Sequence, residues 1–134
     1  ELDSVLPKTE ILVMALPSTP ETLHILNRQR LALLPEGAYV VNVGRGTAVD
    51  QEALMDALNS GHLAGAALDV VVPEPLPKDH PLWGAKNLLL TPHISGNMSL
   101  GITCDLDVEL FCEDLKNFAA GKKLERFVDR SLGY

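Results

Sequence analysis

Basic residues are scarce in this 134-residue sequence, which has 11 Lys and Arg against 18 Asp and Glu. The resulting net charge of −7 disfavours nucleic acid as a partner, because phosphate backbones are bound by clusters of basic side chains. No apolar run approaches the roughly 20 residues that a membrane-spanning helix needs. The first residues show neither the basic segment nor the apolar stretch of a targeting signal. We therefore expect a cytoplasmic protein that contacts neither nucleic acid nor membrane.

Cysteine is scarce too, with only Cys104 and Cys112. Both fall in one predicted helix, two turns apart, which is too far for a disulfide. We expect two reduced thiols buried in the core, as in proteins of reducing compartments. No group of Cys, His and Asp has metal-ligand spacing, so no metal site is predicted.

Apolar runs alternate with helix-like segments, which is typical of an α/β fold with a parallel sheet covered by helices. Asp50 and Gly61 are expected to cap the start and end of one helix, and the proline-rich stretch 73–81 is expected to be an ordered loop. No composition shift marks a domain boundary. The predicted strands are 11–16, 38–43, 63–72 and 87–91, and the predicted helices are a short one after Thr22, then 27–34, 51–59 and 99–120.

A partial dinucleotide fingerprint occurs at Gly44-x-Gly46, between a predicted strand and a predicted helix, with Asp69 at a strand end further on. Val49 occupies the third glycine position, and Arg45 lies inside the turn that would cradle the phosphates. The sequence therefore disfavours a phosphate-binding role for these glycines.

Polar residues follow each predicted strand, and ligands of open α/β sheets collect at the carboxyl ends of strands. Arg45, between two glycines, has a guanidinium suited to binding a carboxylate, although a surface arginine with a solvent partner is the alternative. His93 follows Pro92 and is a candidate acid or base; the alternative is a histidine whose ring is satisfied by a carbonyl. Glu74, among prolines, is a candidate partner for that imidazole or else a solvated loop carboxylate. Asp69 needs a donor if it is buried.

Five segments, in order and nearly spanning the chain, resemble signatures of the D-isomer-specific 2-hydroxyacid dehydrogenases. Within that family, Pro81-Leu82-Trp83 and the closing residues 128–134 resemble the glyoxylate/hydroxypyruvate reductase branch. The five segments are Leu16-Pro17-Ser18-Thr19-Pro20-Glu21-Thr22, Val41-Asn42-Val43-Gly44-Arg45-Gly46, Gly65-Ala66-Ala67-Leu68-Asp69-Val70, Glu74-Pro75-Leu76-Pro77 and Thr91-Pro92-His93-Ile94-Ser95-Gly96.

The resemblance implies the C-terminal half of a Rossmann-type doubly wound parallel sheet. Residues 1–134 would form a partial NAD(P)-binding domain, without the glycine-rich phosphate loop, followed by a C-terminal helix and tail. The implied reaction is hydride transfer between NAD(P)H and a small 2-oxo acid, such as glyoxylate or hydroxypyruvate, giving the D-2-hydroxy acid. The sequence does not indicate a preference for NADH or NADPH.

The resemblance also implies roles for particular side chains. Arg45 would bind the substrate carboxylate and carbonyl, His93 would donate or accept the proton, and Glu74 would be the partner of His93. Asp69 would hold the nicotinamide carboxamide. The cofactor would further be lined by Leu16, Pro17, Thr22, Val43, Gly44 and Gly96, together with Arg45 and His93.

Two other functions remain open. The C-terminal-binding-protein corepressors resemble this family but act through partners, so the chain is alternatively a binding module, or an inactive truncated fragment. Because the phosphate loop is missing from these residues, we expect weak dinucleotide binding and negligible turnover by the isolated chain. The first strand, 11–16, is apolar on both faces, so we expect homodimers or larger assemblies through its unpaired edge.

Overall fold

A computed structural model describes residues 1–96 and 101–131 of the chain. They belong to two compact units, Glu1–Ile94 and Ser95–Tyr134. The predicted α/β architecture is confirmed in the first unit, which is built on one parallel sheet with the strand order β1-β2-β3-β4. The strands are β1 (Ile11–Met14), β2 (Ala38–Asn42), β3 (Leu63–Leu68) and β4 (Leu88–Leu90).

All four strands end earlier than predicted, two of them by only one residue and the other two by more. β3 was expected to continue to Val72, but pairing stops at Leu68. Val70 is nevertheless buried, so the apolar run reflects burial of the loop rather than sheet pairing. β1 likewise ends at Met14 instead of Leu16.

The helices of the first unit are α1 (Leu2–Val5), α2 (Arg28–Leu33) and α3 (Gln51–Ser60), with short 3-10 turns at Leu6–Lys8, Gly46–Ala48 and Pro81–Gly84. The Asp50 carboxylate accepts the Ala53 amide at 3.0 Å, and Gly61 ends α3 at φ 82°, so both predicted caps are confirmed. The short helix predicted after Thr22 is wrong. The Thr22 hydroxyl bonds to nearby backbone there, which favours a turn over a helix.

One face of the sheet forms the core, and the other is largely open. Core residues from the strands and from α2 and α3 include Val40, Leu68, Leu31, Leu54 and Leu58. The opposite face exposes the apolar side chains of Ile11, Val13, Tyr39 and Leu89.

The second unit is described for residues 95–96 and 101–131, and its main element is the predicted C-terminal helix, α4 (Gly101–Ala119). The expected start of that helix at Ser99 and the last three residues of the 128–134 motif lie outside the described residues. Cys104 and Cys112 are free thiols, as predicted, but the expectation that they are buried in the core is wrong. Both are exposed because α4 has no buried residue.

None of the described helices combines the length and apolarity needed to cross a bilayer. Within the same part of the chain, no three His, Cys, Asp or Glu side chains converge as metal ligands would.

The exposed edge of the sheet yields a prediction about self-association. Val13 is 62% exposed on β1, whose only paired neighbour among the described strands is β2. Replacing Val13 by Lys should weaken self-association of the chain at least about tenfold, because a charge blocks edge pairing. Sedimentation velocity over a concentration series measures the effect. Val5→Lys, another exposed valine, on α1, is the control. Equal association of the two variants would contradict the edge contact.

Candidate active site

The carboxyl ends of the four strands lie level with one another. The parallel register pairs Met14 with Asn42, Asn42 with Leu68, and Leu68 with Leu90. The residues that follow these four positions therefore emerge along one edge of the sheet, where ligands of α/β folds bind. All of the predicted catalytic side chains lie in these following segments.

The turn that carries Arg45 is organised by Asn42, the last residue of β2. Asn42 is buried, with its side-chain amide donating to the Arg45 carbonyl at 2.9 Å and its oxygen accepting the Gly44 amide at 3.1 Å. Both ends of this buried side chain are thus used to fix the turn. The Arg45 side chain is exposed, and its Nη1 donates to the Gly44 carbonyl at 2.8 Å.

The two glycines beside Arg45 permit close backbone packing. A Cβ on Gly44 would lie 2.6 Å from the backbone nitrogen and oxygen of Leu16, and one on Gly46 would lie 2.5 Å from the Val71 carbonyl carbon. These contacts bring the loops after β1 and β3 against the Arg45 turn. They account for both glycines without a phosphate ligand.

Gly46 supports a test of this packing. Gly46→Ala should lower the free energy of unfolding by about 1–3 kcal/mol. The added Cβ would meet backbone atoms of Val71, which cannot move aside by a change of side-chain rotamer. Gly84→Ala is the matched control, because a Cβ there meets nothing within 4 Å, and we expect a change within about 0.5 kcal/mol. Urea denaturation measures both variants. Equal losses would contradict the close approach.

Glu74 is held in place at both carboxylate oxygens. Its Oε1 accepts the Val71 amide at 2.9 Å, and its Oε2 accepts from Nδ1 of His93 at 2.9 Å. The loop itself is anchored by Gln51, whose side-chain amide exchanges two hydrogen bonds with the backbone of Val72, at 2.6 and 2.7 Å. The proposed pairing of Glu74 with imidazole therefore has the expected geometry in the structure.

The hydrogen bond from His93 is the main cause that lowers the pKa of Glu74, followed by the bond from the Val71 amide. The charge of Arg45 lowers the pKa further. Because an ionised carboxylate only accepts hydrogen bonds, Nδ1 of His93 carries the proton in this pair. Nε2 is then the ring atom left to exchange a proton with a bound molecule.

The lowered pKa of Glu74 predicts a pH-dependent contribution to stability. A carboxyl whose pKa is lower in the folded state stabilises the fold above its ordinary value of 4.5, and the contribution is lost as pH falls through the folded value. The difference in unfolding free energy between the wild type and Glu74→Gln should therefore shrink below about pH 4.5. Urea denaturation from pH 7 to pH 3 measures it. A constant difference across that range would contradict the pairing.

His93 has an uncommon backbone conformation for a residue other than glycine, with φ at 55°. Its amide lies 2.9 Å from the Asp69 carbonyl and 3.1 Å from the Thr91 carbonyl. Asp69 is buried, and its Oδ1 accepts the Thr91 hydroxyl at 2.5 Å and the Ile94 amide at 2.9 Å. Asp69 thus has the donors that its burial requires.

A shallow crevice of about 190 Å³ brings Arg45, Glu74 and His93 together. Ser18 and Thr47 also line it, with their hydroxyl oxygens 3.1 Å apart. A larger pocket of about 620 Å³ also borders Glu74 and His93, but its remaining walls are mostly apolar. The crevice is the candidate site, because it alone of the two contains all three predicted catalytic side chains.

The residues predicted to line a cofactor have different settings. Leu16 and Pro17 are half-buried after β1, while Val43 is exposed after β2. Thr22 donates its hydroxyl to the Pro17 carbonyl at 2.7 Å, so it shapes this segment. The Leu16 backbone lies against Gly44, the neighbour of Arg45, and the roles of these residues towards a cofactor stay predictions. Gly96 belongs to the second unit, and its predicted contact also stays a prediction.

Sequence reasoning did not single out several supporting residues. Ser18 and Thr47 line the crevice, Gln51 anchors the Glu74 loop, and Thr91 bonds to Asp69. The position of Thr91, directly between an apolar strand and Pro92, is the signal that could have identified it. Gln51 has no such signal, because its contact with Val72 spans 21 positions.

Residues 1–95 match the family described as D-isomer specific 2-hydroxyacid dehydrogenase, NAD binding domain. The chain belongs to this family. The family assignment confirms the predicted Rossmann-type half domain and the resemblance on which it was based.

Two curated relatives match this chain over nearly all of its length. One is an uncharacterized protein in the proB 3′ region of Corynebacterium melassecola. It is 41% identical over 132 residues, and the match covers 98% of this chain and 43% of the relative's length. The other, glyoxylate/hydroxypyruvate reductase A of Klebsiella pneumoniae (strain 342), is 39% identical over 135 residues, covering 100% of this chain and 42% of its own. The chain thus spans less than half the length of either relative.

Solved structures of dehydrogenases of this family superpose closely. The D-isomer specific 2-hydroxyacid dehydrogenase of Xanthobacter autotrophicus Py2, in complex with NADPH and MES, is 43% identical, with a TM-score of 0.85 over 99% of this chain and 53% of that one. A probable 2-hydroxyacid dehydrogenase of Rhizobium etli CFN 42, in complex with NADP, HEPES and L(+)-tartaric acid, is 35% identical, with a TM-score of 0.83 over 100% of this chain and 43% of that one.

Proposed function

We propose that this chain carries the catalytic side chains of an NAD(P)-dependent oxidoreductase. The reaction interconverts a small 2-oxo acid, such as glyoxylate or hydroxypyruvate, and its D-2-hydroxy acid. The observation that carries the proposal is the 2.9 Å bond between His93 Nδ1 and Glu74 Oε2 in a crevice shared with Arg45. The relative named as a glyoxylate/hydroxypyruvate reductase supports the choice of substrate.

Arg45 binds the substrate carboxylate through its planar guanidinium and stabilises the negative charge that develops on the carbonyl oxygen during reduction. His93 delivers a proton to that oxygen from Nε2 and recovers it in the reverse direction. Glu74 fixes the ring by accepting from Nδ1.

The nicotinamide cofactor, when bound, supplies or accepts the hydride. Leu16, Pro17 and Val43 would border its ring, with Thr22 and Gly44 shaping the segments that carry them. Solved relatives that hold NADPH and NADP support this assignment. Asp69 would face the carboxamide from the end of β3.

We further place the enzyme in the cytoplasm as a homodimer. Free thiols at Cys104 and Cys112 support a reducing compartment, and the exposed apolar edge of β1 supports self-association.

The experiment combines intact mass with an activity assay. Mass spectrometry of the natural material identifies the longest polypeptide that contains these residues. That polypeptide and the 134-residue chain are then tested for oxidation of NADPH and NADH with glyoxylate or hydroxypyruvate. We expect turnover by a polypeptide of the relatives' length and little by the chain alone. If the longest natural polypeptide oxidises neither cofactor, the enzyme assignment fails and a corepressor-like binding module is favoured.

A further inference from the structure

His93 has the left-handed backbone conformation that residues other than glycine rarely adopt. Such a conformation costs free energy and persists only where the surrounding contacts enforce it. In this loop two of the enforcing contacts come from Asp69, and the Thr91 carbonyl also lies 3.1 Å from the His93 amide. The Asp69 carbonyl accepts the His93 amide at 2.9 Å, and the Asp69 carboxylate accepts the next amide, that of Ile94, also at 2.9 Å.

The Asp69 carboxylate is in turn held by Thr91. Thr91 Oγ1 donates to Asp69 Oδ1 at 2.5 Å. Asp69 is only 5% exposed, so its carboxylate depends on donors from the protein. Pro92 has no amide hydrogen, and the Thr91 amide already donates to the Leu68 carbonyl at 3.0 Å. The Thr91 hydroxyl therefore supplies a donor that the backbone at positions 91 and 92 cannot give to Asp69.

We propose that Thr91 is a positioning residue, which acts through Asp69 to hold His93 in the backbone conformation that brings its ring against Glu74. The inference rests on the proposed function, because it concerns the same proton-transferring imidazole. Thr91 touches neither the ring nor Glu74 in any described hydrogen bond. Its effect passes through the carboxylate of Asp69 and the amide of Ile94 to the loop.

The test compares Thr91→Val, which keeps the side-chain shape but removes the hydroxyl, with Thr91→Ser, which keeps the hydroxyl. Thr9→Val is the control, because the Thr9 hydroxyl bonds to the Val5 carbonyl on an exposed helix. The first readout is the pKa of Glu74 in the 134-residue chain, followed through its carboxyl ¹³C resonance. We expect Thr91→Val to raise this pKa towards the ordinary value of 4.5, and Thr91→Ser and Thr9→Val to leave it at the wild-type value.

The second readout is turnover by the longest natural polypeptide. Thr91→Val should lower kcat by about 10- to 100-fold with little change in KM, because a misplaced imidazole slows proton transfer more than it weakens binding. The kcat of Thr91→Ser should stay within about threefold of the wild-type value. If Thr91 contributed only packing, Thr91→Ser, which removes the methyl group, would be impaired more than Thr91→Val, which keeps the side-chain shape.

The inference is overturned if Glu74 has the same pKa in Thr91→Val as in the wild type and the kcat of the variant is also unchanged. Should Thr91→Val fail to fold, Thr91→Ala and Thr91→Ser make the same comparison, and equal Glu74 titration in those two variants would overturn it. If Thr91→Val shifts the Glu74 titration while no form of the natural polypeptide reduces a 2-oxo acid, the proposed function fails and the role of Thr91 in holding the loop stands.

Discussion

Replacing His93 by Asn should lower kcat for 2-oxo acid reduction by about 10²- to 10⁴-fold, measured in the longest natural polypeptide. The reason is that Asn has no group that can transfer a proton to the carbonyl oxygen near neutral pH. Asn tolerates the left-handed backbone conformation better than most residues, so the loop should keep its shape at φ 55°. The loss should appear in kcat rather than in the KM for the cofactor.

His24→Asn is a matched control for this substitution. His24 is also a histidine with positive φ, at 46°, but its side chain does not line the crevice. We expect His24→Asn to retain the wild-type kcat. A small and equal effect of the two substitutions would show that His93 is not the proton donor.

The second large effect is expected at Arg45. Arg45→Lys keeps the positive charge but loses the planar fork that binds both oxygens of a carboxylate. We expect the KM for the 2-oxo acid to rise and kcat/KM to fall about 10²-fold or more, equivalent to a few kcal/mol of lost binding. The KM for NADPH should change much less. Steady-state kinetics with each substrate varied in turn separates the two values.

Arg28→Lys serves as the control, since Arg28 is exposed and pairs with Asp56 at 2.7 Å, outside the crevice. Its substitution should leave both KM values unchanged. If Arg45→Lys behaves like Arg28→Lys, Arg45 is a surface arginine, and the substrate carboxylate is held elsewhere.

The sequence predicts the fold well where local chemistry decides the structure. Asp50 and Gly61 identify both ends of α3, since a cap depends only on its neighbours along the chain. The end of β3 could not be predicted in the same way. Val70 is as apolar as a strand residue and as deeply buried, so only the pairing partners show that the sheet has stopped. The exposed thiols of α4 were missed because apolar periodicity does not reveal what a helix packs against.

In the candidate site, too, the residues with a local sequence signal were predictable and the long-range contacts were not. His93, Glu74 and Arg45 could be proposed because each has a distinctive local setting of proline or glycine. Their convergence needed the register of the parallel strands, which aligns the carboxyl ends of the sheet. Supporting contacts, such as that of Gln51 with Val72, join residues far apart in sequence and leave no local pattern.

The most direct test of the proposed chemistry is identification of the product. Hydroxypyruvate and NADPH are incubated with the longest natural polypeptide. Chiral chromatography then measures how much D-glycerate and L-glycerate form, and the amount of each is compared with the amount of NADPH oxidised. We predict one D-glycerate for each NADPH oxidised in the wild type, and the same product at a greatly reduced rate in His93→Asn. Oxidation of NADPH without formation of D-glycerate would contradict the assignment of Arg45, Glu74 and His93 to 2-oxo acid reduction. The absence of any NADPH oxidation would contradict it as well.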